Sequence, residues 1–319
     1  MSANPLISVI IPSYNCATYL TEAVRSALEQ SYSPVEIIVV DDGSTDATSA
    51  VIGAFGERIR YIRQANGGVS RARNSGIRAA RGQLIAFLDA DDRWLPEKLT
   101  KQCAQLRADS RVPLVHTNIQ LLYEPSGRQV HDSRDHARYS GRCYAQSFWG
   151  NAIITSTVLV TVGCLEEVGL FDEKTRYAED YDLWIRIARR YPLAYLNESL
   201  VLYREHQTNA SRNQHAMFEG EYYVLAKALA ADPALTATLD SRRVRRRMFE
   251  AAFSAAYANL ERGDLVRARH YFRLALQHAP ARPGTWGLWL STFLSPGARQ
   301  KLQVLKRRLL SGSSDAPSG

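Results

Sequence analysis

The chain has little cysteine, no long apolar run and no glycine-rich loop behind its first apolar segment. Its four cysteines, Cys16, Cys103, Cys143 and Cys164, are far apart and form no CxxC pair. Neither a zinc site nor a disulfide framework is suggested, and a reducing cytoplasm fits. No segment reaches the roughly 18–20 apolar residues that a membrane span needs. The opening SANPLISVIIP lacks a basic leader and is cut by Pro12, so it reads as a first strand and not as a secretory signal. What remains is an ordinary globular balance, 45% hydrophobic and 23% charged over 319 residues, enough for two units and incompatible with a disordered chain.

The net charge of +8 is unevenly placed. Residues 1–214 hold 24 Lys+Arg and 24 Asp+Glu, so the 16 basic and 8 acidic residues beyond them carry the whole excess. A basic rear part points to nucleic acid, an anionic membrane surface or a solvated helix face.

Four short β-branched or aromatic runs, SVII (8–11), VEIIVV (35–40), RIRYI (58–62) and QLIAFL (83–88), alternate with helical stretches around 16–30, 45–55, 69–80 and 96–108. That alternation predicts βαβ units and a mostly parallel sheet covered on both faces. In such sheets ligands bind beyond the carboxyl ends of the strands, and there the sequence places PSYN, DDGSTD and LDADD. Later runs at 112–123, 154–160 and 194–206 read as added, partly antiparallel strands. From about 215 the chain turns helical and rich in Ala and Arg; Gly263, Ala268, Phe272, Ala275 and Pro280 are spaced as in one tetratricopeptide-type hairpin. The expected division is 1–214 (nucleotide-binding half 1–112, catalytic half 113–214), a helical region 215–310 and a flexible end 311–319.

LDADD is either a polar strand exit or a site that collects positive charge. If the extended backbone continues through Asp91, Asp89 and Asp91 share a side and Asp92 faces away. Paired carboxylates in a crevice suit a divalent cation carrying a polyphosphate. The ordered series SVIIPSYN (8–15), VVDDGSTD (39–46), NGGVSRARNSG (66–76), FLDADD (87–92), GLFDE (169–173), AEDYDLWIR (178–186) and YREH (203–206) resembles the inverting family 2 glycosyltransferases of GT-A fold over residues 6–212. The fold class so implied is α/β, a Rossmann-like and mostly parallel sheet with added antiparallel strands, followed by an all-α region.

The resemblance implies roles residue by residue. Pro12, Tyr14 and Asn15 line the base of a nucleotide sugar, and Asp42 bonds the nucleobase. Gly68 allows close backbone approach, and Arg73 and Asn74 face the diphosphate. Asp89 holds the ribose or a metal-bound water, Asp91 and His206 bind Mn2+ or Mg2+, and Asp92 orients the loop. Asp180 is the base that deprotonates the acceptor, with Glu179 its neighbour and Asp182 exposed or paired with Arg186. Each has a plainer reading: a strand-ending turn for Tyr14, helix capping for the acids at 42–46, a surface role for Arg73 and His206, and helix-dipole compensation at 179–182.

The expected activity is transfer of one sugar from a nucleotide donor, UDP favoured, to a hydroxyl of a saccharide or lipid-linked saccharide in surface polysaccharide synthesis. Neither the QxxRW motif nor the membrane helices of processive synthases are visible. A nucleotidyltransferase would want a GxGxR/K-type loop where this chain has PSYN. The alternative is a non-catalytic adaptor whose GT-A-like domain carries the helical tail. RRVRRR (242–247), the Trp-bearing GTWGLWLSTFL (284–294) and KLQVLKRRLL (301–310) make an anionic membrane surface the expected partner, with the chain peripheral on its cytoplasmic face. Nucleic acid is not expected, since no aromatics interleave the arginines.

Overall fold

The computed structural model describes residues 4–298 except 133, 135, 176 and 296. KLQVLKRRLL and the end at 311–319 therefore lie outside the described residues. The first part alternates as the sequence predicts. Strand β1 (Ile7–Ser13) leads to helix α1 (Ala17–Leu28), β2 (Val35–Asp41) to α2 (Thr48–Gly53), and β3 (Arg60–Arg63) to α3 (Val69–Ala79). β4 (Leu84–Phe87) and the two-residue β5 (Arg93–Trp94) precede α4 (Lys98–Ala108). Then come β6 (Leu114–Tyr123), β7 (Arg128–His131), α5 (Tyr144–Trp149), β8 (Leu159–Thr161), α6 (Val162–Val168), α7 (Glu179–Arg190) and β9 (Ala194–Glu205).

Among the described residues these strands form one nine-stranded sheet in the order β3-β2-β1-β4-β8-β6-β9-β5, with β7 paired to β6. β1 pairs in parallel with β2 and β4, and β2 with β3. β8 joins antiparallel to β4 and β6, while β6 and β9 run parallel. Strands β5 and β7 were not legible in the sequence, because β5 has only two residues and all four of β7 are exposed, so neither carries an apolar pattern.

Every residue of β1 is buried, as a central strand with both faces covered requires. Val9 and Ile11 pack with Leu20, Val24, Ile52 and Leu99 from α1, α2 and α4; Ile10, Ile85 and Phe87 pack with Ile77, Leu165, Leu183 and Trp184 from α3, α6 and α7. α3 lies close to the sheet because Gly76 permits it: a Cβ there would meet Ile10 Cγ2 at 2.5 Å. The register aligns Ser13 with Asp41 and Asp41 with Arg63, so the carboxyl ends of the parallel strands open at one edge.

The remaining helices are α8 (Gln214–Ala231), α9 (Leu235–Thr238), α10 (Ser241–Glu261), α11 (Leu265–His278) and α12 (Pro283–Ser291). The chain divides into two compact units. One runs to Asn213 and takes in Tyr223–Thr238; the other holds Gln214–Tyr222 and the chain from Leu239 onward. Lys227 belongs to the first, where its Nζ is 2.6 Å from Asp172 and 2.7 Å from Asp182. In the second, α10 and α11 meet through small residues. Ala252, Ala256, Ala268 and Ala275 are fully buried, so the helices close tightly around Phe249 and Phe272. Gly263, at φ +84°, makes the turn between them. Among the described residues no helix is long and apolar enough to cross a membrane.

Candidate active site

The loops beyond β1 and β2 are tied to each other by side chains. Asn15, itself in the left-handed region at φ +49°, accepts from the Thr45 N–H at 2.8 Å, and Asp46 accepts from the Ala17 N–H at 3.1 Å. Tyr14, at the tip of this pair of loops, leaves its ring 54% exposed. Pro12 lies within β1, buried opposite Val40.

Asp42 is 3% exposed and gathers the turn that opens α3. Its carboxylate accepts from the Gly68 N–H at 2.7 Å, the Gly67 N–H at 3.0 Å and Gln64 Nε2 at 2.7 Å. Gly68, at φ +90°, is the residue before the helix, so a carboxylate here also suits the positive end of the helix dipole.

The alternation expected of an extended Asp89–Asp91 run does not hold. β4 stops at Phe87, and the Asp92 N–H donates to the Asp89 carbonyl at 3.0 Å, closing a turn. The three carboxylates are separated by this turn and not by a strand's pleat. Asp89 accepts from Arg73 Nη2 at 2.7 Å. Asp91 Oδ2 stands 3.0 Å from His206 Nε2. Asp92, 1% exposed, accepts from the Ser156 hydroxyl at 2.5 Å and the Arg204 N–H at 3.0 Å. Burial, with Asp91 and Asp89 adding repulsion, pushes its carboxyl well above the usual range. Asp92 is thus the internal brace of the loop.

His206 is held from behind. Its Nδ1 is 2.9 Å from the Thr208 hydroxyl, its N–H donates to Asn209 Oδ1 at 2.6 Å, and its ring lies 4.9 Å from that of Tyr19. Two ligands at about 2.1 Å and right angles on an octahedral ion stand about 3.0 Å apart, so the Asp91–His206 pair fits two neighbouring positions of such an ion. Among the described residues no third His, Cys, Asp or Glu joins them, which leaves further positions to phosphate oxygens and water. Arg204, 3% exposed, fixes the pair from below. Its Nε donates to the Asp91 carbonyl at 2.8 Å and its Nη2 to Glu22 at 2.8 Å, and it is also paired with Glu124.

Arg73 is 4% exposed and not a surface arginine. It bridges Asp89 and, through Nη1 at 2.7 Å, Glu179 at the start of α7, with its guanidinium 5.3 Å from the centre of the Phe171 ring. Asn74 is not part of the crevice wall. Its amide is taken by the Phe171 carbonyl (2.9 Å), the Phe171 N–H (3.1 Å) and Glu173 (3.0 Å), and it pins the 169–173 segment to α3.

Beside Glu179 lies Asp180, whose environment is different. Its Oδ1 accepts from the Tyr181 N–H at 2.6 Å, whereas among the described residues Oδ2 has only long contacts of 3.4 Å from Asn151 Nδ2 and the Thr155 hydroxyl. Burial, then the Glu179 charge, pushes its carboxyl up to about 7, against the opposing pull of Arg73. Such a carboxylate is basic at neutral pH and has an oxygen free to take a proton. Asp182 pairs with Arg186 at 2.9 Å and with Lys227.

Nothing in residue order marks Arg204, Ser156, Asn151 or Thr155 for this role, although Arg204 stands two residues before His206 in YREH. The donors on Asp180 lie in a segment without periodicity, far from it in sequence.

Known proteins share the sequence pattern and the fold of this chain. Residues 8–149 match the family described as glycosyl transferase family 2. An uncharacterised glycosyltransferase of Rickettsia typhi is 34% identical over 233 residues, 71% of this chain and 73% of that protein. The putative teichuronic acid biosynthesis glycosyltransferase TuaG of Bacillus subtilis is 31% identical over 225 residues, 69% of this chain and 87% of that one. Among solved structures, S. aureus TarS 1-349 in complex with UDP-GlcNAc superposes with a TM-score of 0.64 at 18% identity, covering 90% of each chain. The mannosyltransferase PcManGT from Pyrobaculum calidifontis, in complex with GDP-Man and Mn2+, gives 0.61 at 21% identity over 91% of this chain and 85% of that one.

Proposed function

Since the chain belongs to glycosyl transferase family 2, we propose that it moves a single sugar from a UDP-sugar to a hydroxyl of a saccharide or lipid-linked saccharide in surface polysaccharide synthesis, with inversion. The observation that carries the reading is the contrast on α7: Glu179 is locked by Arg73, while Asp180 is left basic with Oδ2 weakly held. Asp180 Oδ2 takes the proton of the acceptor hydroxyl as its oxygen bonds to the anomeric carbon and the bond from that carbon to the diphosphate oxygen breaks. Asp91 and His206 would hold a divalent ion, Mn2+ or Mg2+, which when bound would offset charge on the leaving diphosphate, an effect of several kcal/mol.

Tyr14, Pro12 and Asn15 form the base side of the donor pocket, and Asp89 faces the ribose. Asp42 orders the Gly67–Gly68 turn, and a nucleobase contact displaces Gln64 Nε2, its only side-chain donor among the described contacts. Arg73 sets the spacing between Asp89 and α7, and Asn74 braces the segment beside it. The teichuronic acid role in TuaG's name and the UDP-GlcNAc of the TarS complex support the acceptor class and the carrier.

The second unit is proposed to meet an anionic membrane surface at its cytoplasmic side. Arg242, Arg243, Arg245 and Arg246 are exposed on α10, and Trp286, Leu290 and Phe293 are 42%, 57% and 56% exposed at and just beyond α12. A screen of UDP-, GDP- and dTDP-sugars with Mn2+ or Mg2+ tests the activity. Metal-dependent release of nucleoside diphosphate, abolished by EDTA and restored by metal, is expected; indifference to EDTA with an active donor overturns the metal assignment. Asp91→Ala is expected to lose Mn2+ binding by calorimetry, and unchanged binding removes Asp91 from that role.

A further inference from the structure

The segment from Gly150 to Ile154 connects α5 to the buried 3-10 turn Thr155–Thr157 and has no regular structure. It is nevertheless pinned at three carbonyls, by the 3-10 turn His136–Tyr139 and by α7. The Tyr139 hydroxyl donates to the Gly150 carbonyl at 3.0 Å, His136 Nδ1 to the Ala152 carbonyl at 2.7 Å, and Trp184 Nε1 to the Ile153 carbonyl at 3.1 Å. His136 is 1% exposed and its Nε2 lies 2.9 Å from Asp132 Oδ2. Asp132, 5% exposed, is itself paired with Arg134 at 2.7 Å. The buried His136 side chain thus ties the Ala152 carbonyl to Asp132, one link for each ring nitrogen.

The consequence falls on the side chains that the segment and the turn after it present. Asn151 and Thr155, four residues apart, both reach the same atom, Asp180 Oδ2, at 3.4 Å. We infer that Asn151 and Thr155 are positioning residues for Asp180, and that the Asp132–His136 pair sets their distance from Oδ2 through the Ala152 carbonyl. The inference rests on the reading of Asp180 as the base. Contacts this long steer the carboxylate toward the acceptor without saturating it, and they are of the kind that tightens when substrate arrives. The charged groups acting on Asp180 are Glu179 on its own helix, Arg73 from α3 and Asp89 after β4; the two donors add a neutral preference for the carboxylate form.

The test is a pH titration of the full-length protein by carboxyl-13C aspartate NMR, with the Asp180 signal assigned by its loss in Asp180→Asn. Thr155→Val removes a donor at similar size, and Thr155→Ser keeps it. Thr155→Val and Asn151→Ala are each expected to move the Asp180 midpoint up by about half to one pH unit, a change of about three- to tenfold in its protonation equilibrium. Thr155→Ser is expected to leave it in place. His136→Leu is expected to move the same signal upward with Asn151 and Thr155 intact, and His136→Gln, whose amide N–H still reaches a carbonyl, to restore it in part. If His136→Leu does not fold, the Thr155 and Asn151 variants decide. Unshifted midpoints in both Thr155→Val and Asn151→Ala overturn the inference, whereas turnover retained by Asp180→Asn overturns the base reading and leaves the titration result standing by itself.

Discussion

At the scale of single residues, the site works by giving neighbouring carboxylates different surroundings. Asp180→Asn is expected to abolish transfer while donor binding, followed by calorimetry with UDP-sugar and Mn2+, stays within about twofold; retained turnover removes Asp180 as base. The same variant has a stability signature. The Asp180 carboxyl goes from 3.8 to about 7 in the fold, so its ionised form is disfavoured by folding. That cost is absent below the unfolded value and complete above the folded one. Asp180→Asn is therefore expected to raise Tm at pH 8, by about 2–4 °C for each kcal/mol relieved, with the gap closing as pH falls from 7 toward 4. A gap constant across that range contradicts the assigned cause. Arg73→Met leaves Asp89 and Glu179 without their shared cation and is expected to cost about 3–5 kcal/mol in urea unfolding. Arg73→Lys is expected to recover only part, since an ammonium does not span two carboxylates as a guanidinium fork does.

At the scale of elements, α3 and α7 are the pieces whose separation matters, because Arg73 on one and Glu179 on the other join the Asp89 turn to the start of α7. α3 reaches its position through Gly76. Gly76→Ala places a methyl 2.5 Å from Ile10 Cγ2 and 3.3 Å from Val40 Cγ2, and is expected to destabilise by about 1–3 kcal/mol. It is also expected to lower transfer more than the loss of folded protein explains, since Arg73 moves with the helix. Activity per folded molecule equal to wild type contradicts that coupling. Among the elements most visible in the sequence, β1, β2 and β4 are apolar because helices cover both faces of the sheet, and α1 and α3 show one apolar face where they pack on it. β5 and the 150–154 segment were hidden because their conformation is imposed by residues outside them, Trp94 by β9 and Ala152 by His136, and β7 because its four exposed residues carry no apolar pattern.

At the scale of the whole molecule, charge is segregated: the catalytic unit is balanced and the rear of the chain is basic. Replacing Arg242, Arg243, Arg245 and Arg246 by Ser is expected to weaken co-sedimentation with phosphatidylglycerol vesicles by about a hundredfold or more, at about 1 kcal/mol per basic residue near an anionic surface. Neutral phosphatidylcholine vesicles are expected to show little binding in either form. Equal sedimentation of both proteins on anionic vesicles removes the membrane from the list of partners.

By itself the sequence determined the fold class, the family and the edge at which the site forms, because buried strands and their polar exits are written locally in residue order. Asp42, Asp91, Asp180 and His206 were legible as members of motifs. Only the tertiary structure decided what each faces. It turned LDADD into a closed turn that sends Asp89 to Arg73, Asp91 to His206 and Asp92 inward, and it set Asn74 to bracing and placed Asn151 and Thr155 on Asp180. Hydrogen-bond partners, and the burial that makes Asp180 basic, depend on distances between segments 16 to 115 residues apart, which local pattern does not contain.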